Sequence, residues 1–238
     1  HELMHSWYQM VLGFNESYYY WMDEGFTNYA AERVMNHLRS KGLIPGDPDP
    51  RPFESFYNGY IDLVMSGVEE PLSTHADHFE DAGAYGAAAY QKGALFLYQL
   101  EYVIGKPAFD QGLLDFFNTW KFKHPDDNDF IRVMEKSSGL ELDWYRDYMV
   151  YSLKTVDYSV DTVFAYQEQS AIILERIRDM PMPIDVVINT KAGTQLYYTI
   201  PLDIMRGAKE ERGPDDKPYE LLHDWNWVNP SYLFVVPF

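Results

Sequence analysis

His1-Glu2-Leu3-Met4-His5, followed after eighteen intervening residues by Glu24 within Trp21-Met22-Asp23-Glu24-Gly25-Phe26, is the stretch from which the rest of the chain is read. The first five residues fit H-E-x-x-H. On a helix this spacing sets His1 and His5 one turn apart on one face, where both imidazoles reach a single zinc ion. Glu2 stands beside them as a general base toward a metal-activated water. A hydrolytic zinc site takes three protein ligands and keeps one position open, and Glu24 is the candidate third ligand.

Periodicity outward from this stretch predicts helices first and strands later. Residues 1–12 read as a helix, with Leu3, Trp7 and Val11 in one row, Met4, Tyr8 and Leu12 in the next, and Gly13 as its stop. Residues 14–20 read as a connection, with Asn15, Ser17 or Asp23 as candidate caps. Helices are expected over 24–38, 53–66, 85–104, 108–121, 127–137 and 143–151. The prolines at 45, 48, 50 and 52 mark a loop, and Pro107 suits a first helical turn. Beyond residue 154, β-branched and aromatic residues alternate with polar ones, and Thr190-Lys191-Ala192-Gly193 reads as a hairpin turn. Residues 207–218 read as a charged, flexible loop. The expected organisation is α+β, with a helical unit over 1–154 and a smaller β-sandwich-like unit over 155–238.

The chain has 238 residues, 46% of them hydrophobic and 17% aromatic, enough for a substantial core. With no cysteine, a metal site here must use histidine and carboxylate. A net charge of −18 argues against nucleic acid or an anionic membrane as partner. No apolar run reaches the length of a membrane span. The sequence assigns no compartment, since a targeting signal would lie upstream of residue 1.

The zinc-type spacing, with Trp7 after the second histidine and Glu24 inside a W-x-x-E-G-F-x-x-Y context ending at Tyr29, resembles the aminopeptidase N family of gluzincin metallopeptidases. Ala89-Tyr90-Gln91-Lys92-Gly93 is similar to a Tyr-x-Lys-Gly motif of that family, and Asp129-Phe130 through Ser138-Gly139-Leu140 to Trp144-Tyr145 to a third segment. The tail from Trp225 to Tyr232 resembles the end of a β-sandwich module that follows the catalytic domain in many members. The resemblance implies the helical lobe of a thermolysin-like catalytic domain. It also implies zinc held by His1, His5 and Glu24, Glu2 as general base, Tyr90 as hydrogen-bond donor to the developing oxyanion, and a peptide as substrate. Asp23 and Asn28 are the candidates to orient the imidazoles.

Three departures shape these expectations. Tyr8-Gln9-Met10 stands where members usually carry Phe-Gly-Asn. The Gly-x-Met-Glu-Asn segment that recognises a free N-terminus, and the β part of the catalytic fold, normally precede the zinc helix. The expectation is therefore a C-terminal piece of a larger enzyme, joined in function to a missing N-terminal part, with zinc absent or partly occupied in the isolated piece. Three functional readings follow: a zinc-dependent aminopeptidase, a non-catalytic fragment or binding module of such an enzyme, and a gluzincin endopeptidase. The polar cluster of His75, Asp77, His78, Glu80 and Asp81 reads first as a loop bordering the cleft and second as another metal site. His124 with Asp126, Asp127 and Asp129 reads as a turn and helix cap, because calcium-loop spacing is lacking.

Overall fold

A computed structural model describes residues 1–210 and 218–237. Residues 211–217 of the charged stretch at 207–218 thus lie outside the described residues. The helices are α1 Glu16–Ser40, α2 Glu54–Ser66, α3 Ala82–Gly86, α4 Gly93–Ile104, α5 Lys106–Trp120, α6 Asp127–Ser138 and α7 Asp143–Tyr151. The strands follow as β1 Tyr158–Tyr166, β2 Gln169–Arg176, β3 Ile184–Asn189, β4 Gln195–Ile200, β5 Glu220–Leu221 and β6 Ser231–Pro237. The fold class is α+β. No described helix is long and apolar enough to cross a membrane.

The opening segment departs from the expected helix over 1–12. Only Met4–Ser6 forms a 3-10 turn. Gln9 adopts a left-handed φ of 88°, and residues 11–13 turn aside to pair with the backbone at 122–123. The physical reason lies in the row Leu3, Trp7, Val11. Leu3 is 70% exposed and Trp7 45% exposed, so that row has no core to bury against. A helix of twelve residues without a packed face is marginal in water.

α1 begins eight residues earlier than the periodicity indicates. Asn15 caps it, its side chain accepting from Ser17 N at 3.1 Å. The three tyrosines at 18–20 masked the start, and Tyr19 has non-helical angles that kink this first turn. The predicted helix over 85–104 starts at Ala82 instead, capped by Asp81, and is not α-helical throughout. Between α3 and α4, residues Ala87–Lys92 form a π-helical turn. α6 carries a capping box between Asp126 and Asp129, while His124 Nδ1 lies 2.8 Å from the Gly13 carbonyl, tying the loop to the chain's first segment.

The strands form two three-stranded sheets, β1-β2-β6 and β3-β4-β5, antiparallel except for the β4–β5 pair. The hairpin at 190–193 joins β3 to β4 with Gly193 at a φ of 82°. Ile172, Leu174, Phe234 and Val236 point inward, and the Phe234 ring meets Tyr198 of the other sheet at 6.1 Å. A polar latch joins helices to strands: Tyr102 of α4 donates to Pro183 O and accepts from Asp185 N, and Asp185 accepts from Thr199 and Lys209.

The helical core is aromatic, built around Trp21, Phe26, Phe96, Phe116, Phe130 and Tyr145. At its centre α1 and α4 touch backbone to backbone. A Cβ on Gly93 would lie 2.7 Å from Trp21 O and 3.0 Å from Gly25 Cα, and one on Gly25 would run into the Gly93 backbone. Gly25→Ala is therefore expected to destabilise the chain by on the order of 3 kcal/mol, the upper range for overpacking. Gly86→Ala is the control, since its Cβ meets open space and alanine is the better helix former. Urea unfolding of the two variants measures the difference. Equal midpoints would show that the contact relaxes freely.

Candidate metal centre

Asp23, Glu24, Thr27 and Asn28 lie at i, i+1, i+4 and i+5 on α1, so they share the face turned toward the opening segment. The single turn around Met4 brings His1 and His5 to that face. His1 Nε2 and His5 Nε2 are 3.1 Å apart, and Glu24 Oε2 stands 3.1 Å from the first and 3.4 Å from the second. Among the described residues this is the one group of His, Asp and Glu whose donor atoms converge within 4.8 Å.

The hydrogen bonds behind these atoms define what the group can hold. Asn28 Nδ2 donates to the Tyr90 carbonyl at 3.2 Å, which turns Oδ1 toward His1. His1 therefore donates from Nδ1 to Asn28 Oδ1, at 2.7 Å. His5 Nδ1 donates to Asp23 Oδ1 at 2.8 Å, with Thr27 Oγ1 3.3 Å from the same nitrogen. Both protons thus sit on Nδ1 when the rings are neutral, and both Nε2 atoms present bare lone pairs. Two lone pairs and a carboxylate oxygen meet with no donor among them. A bound cation would satisfy all three at once. Ligands about 2.0–2.1 Å from a tetrahedral ion sit about 3.3 Å from one another, close to the spacing found here. The donor set, two imidazoles and one carboxylate, suits zinc.

Asp23 is buried, and desolvation pushes its carboxyl up to about 6 against the opposing pull of His5. Tyr90, on the π-turn, has its ring centroid 5.7 Å from that of His1. Burial raises its phenol above the ordinary tyrosine value, and its hydrogen bond to Glu24 acts in the same direction. Glu2 is exposed and has no hydrogen bond or ion pair to a described residue. The structure thus brings His1, His5, Glu24, Asp23, Asn28 and Tyr90 together, and leaves Glu2 beside them by chain connectivity alone.

The second metal reading fails for the polar loop. Among the described residues His75, Asp77, His78, Glu80 and Asp81 do not converge. His75 Nδ1 accepts from Asp77 N, and Asp81 caps α3. The sequence reading missed Thr27, although its place three residues after Glu24 puts it on the same helix face. It also missed the partner of Lys92: Nζ lies 2.7 Å from Glu69 Oε1, with the two side chains 2% and 7% exposed. Burial pulls the Lys92 ammonium below its ordinary value, and Glu69 opposes that shift.

The pattern described as the Peptidase family M1 domain matches residues 1–149. The chain belongs to peptidase family M1. A leukotriene A-4 hydrolase homolog from Botryotinia fuckeliana is 27% identical over 142 residues, 55% of this chain and 20% of that protein. A leucine aminopeptidase 2 from Neosartorya fischeri is 30% identical over 159 residues, 60% of this chain and 25% of that protein. The chain therefore spans a fifth to a quarter of the length of these M1 relatives. Legionella pneumophila aminopeptidase A, solved in complex with aspartic acid, shares the fold over 99% of this chain and 23% of its own, with a TM-score of 0.57 at 16% identity.

Proposed function

We propose that this chain carries the metal-binding part of a zinc-dependent peptidase that removes residues from the N-terminus of peptides. The convergence of three acceptors, His1 Nε2, His5 Nε2 and Glu24 Oε2, with no donor among them carries this reading. His1, His5 and Glu24 would hold a zinc ion, which when bound would supply a Lewis acid and lower the pKa of a water to about 7. Asn28 and Asp23 keep the two imidazoles in the tautomer that leaves Nε2 free. Glu2 takes the proton of the attacking water and passes it to the leaving amine. Tyr90 donates its phenolic hydrogen bond to the scissile carbonyl oxygen as charge develops on it. The aminopeptidase names of M1 relatives favour removal of N-terminal residues over internal cleavage.

The test is hydrolysis of a leucyl chromogenic amide and of an internally quenched peptide by the full-length protein bearing this sequence. Chelation is expected to abolish the first activity, and zinc to restore it. Cleavage of only the quenched peptide would establish an endopeptidase, and metal-independent hydrolysis would remove the zinc reading. In the 238-residue chain alone, zinc is expected below one ion per chain by elemental analysis. His5 sits on the short 3-10 turn Met4–Ser6 and His1 precedes it, so both ligands must lose freedom on binding. One tightly held ion per chain would contradict this.

A further inference from the structure

Four successive residues on the π-turn and its exit are each fixed to a different part of the fold. The Tyr90 carbonyl accepts from Asn28 of α1. Gln91 packs on α2, where a Cβ built on Gly59 would lie 2.9 Å from Gln91 Cγ. Lys92 pairs with Glu69 and lies 5.6 Å from the Tyr60 ring centroid. Gly93 rests on Gly25. Residues two apart on a helical turn face roughly opposite sides. Tyr90 faces His1 and Glu24, so Lys92 is the tie on the turn's far side.

Stability alone does not favour this tie. Taking two charges out of water is expensive, and an apolar pair of similar volume is commonly as stable or more so. What an ion pair adds over apolar packing is a bond of fixed length and direction. A π-turn has the looser i to i+5 hydrogen bonding and is found as single turns, often at functional sites.

We propose that the buried Lys92–Glu69 ion pair is a positioning device that holds the π-turn in register and so aims the Tyr90 hydroxyl at the metal centre. This rests on the reading of Tyr90 as oxyanion donor. Lys92 and Glu69 touch neither substrate nor metal; they act through Tyr90.

A double-mutant cycle on the zinc-loaded, full-length protein tests it, with leucyl-amide hydrolysis as the activity and amide hydrogen exchange at residues 87–93 as the second readout. Lys92→Met is expected to lower kcat by about 10–100-fold, as loss of a group that orients an active-site residue does. KM and zinc content stay at the wild-type level, and exchange over 87–93 speeds up. In the Tyr90→Phe background, Lys92→Met is expected to lower kcat by no more than about 3-fold further, because the group it aims is gone. Losses that multiply in the double variant, or unchanged exchange at 87–93, would overturn the proposal. Should Lys92→Met not fold because Glu69 is left as a buried lone charge, Lys92→Met with Glu69→Leu enters the same cycle. If Tyr90→Phe itself leaves kcat unchanged, the oxyanion reading is what has failed. The exchange data then still report whether the pair holds the turn.

Discussion

Glu2→Gln is expected to lower kcat by roughly 10³–10⁴-fold, the upper end of what a positioned acid–base group supplies. Glutamine keeps the shape and the hydrogen-bonding oxygen and loses the ability to take a proton. The exposed Glu2 side chain makes no hydrogen bond or ion pair with a described residue, so the substitution removes no contact that supports the fold. Zinc content, unfolding midpoint and KM should stay near wild type while kcat falls, the pattern of an interaction lost in the transition state. Steady-state kinetics on a leucyl amide with parallel metal analysis provide the check. A variant with full activity would place the general base elsewhere, and a variant that had lost zinc would mean that Glu2 serves the metal site.

Tyr90→Phe carries the second-largest expected effect, about 10²–10³-fold in kcat, the magnitude found when one oxyanion donor is removed. The change deletes a single hydroxyl. The ring keeps its place beside His1, and the backbone carbonyl that receives Asn28 is untouched. Ground-state binding should change little, so KM serves as the internal control. If KM rises and kcat holds, the hydroxyl contacts the substrate throughout and has no special role at the developing oxyanion.

The two carboxylate-side positions of the centre were legible because helix geometry is rigid. Once Glu24 is placed on a helix, Asp23 and Asn28 are fixed relative to it. The imidazole pair was legible for a different reason. Its four-residue spacing survives in a turn as short as Met4–Ser6, so His1 and His5 meet even though the helix expected around them does not form. The failed helix shows the limit of periodicity. Leu3, Trp7 and Val11 repeat as a buried row does, but a row is buried only if something lies opposite, and Leu3 and Trp7 face water. The start of α1 was hidden by local chemistry, since Asn15 and Ser17 are equally good caps and three tyrosines in succession have no helical phase. The π-turn left no trace at all. A run of alanines at 87–89 is compatible with any helical ladder, and the extra residue is absorbed by contacts from Asn28, Gly59 and Gly25, far away in sequence. The strands were located by alternation, yet their division into two sheets depends on pairings such as Ile172 with Phe234, sixty-two residues away, which no local pattern encodes.

The bare contact between Gly25 and Gly93 has a consequence for how such a centre can change over time. Glu24 adjoins one glycine, and Tyr90 stands three residues before the other. The reach from ligand to phenol is therefore gauged by two hydrogen atoms instead of by side chains that a lineage could exchange for others of similar bulk. Neither glycine can drift alone, and no compensating shrinkage is possible, because nothing smaller exists. Sequence divergence around the site can be wide while this one spacing stays frozen, and a designer moving the centre to another scaffold would have to carry the helix crossing along with the ligands.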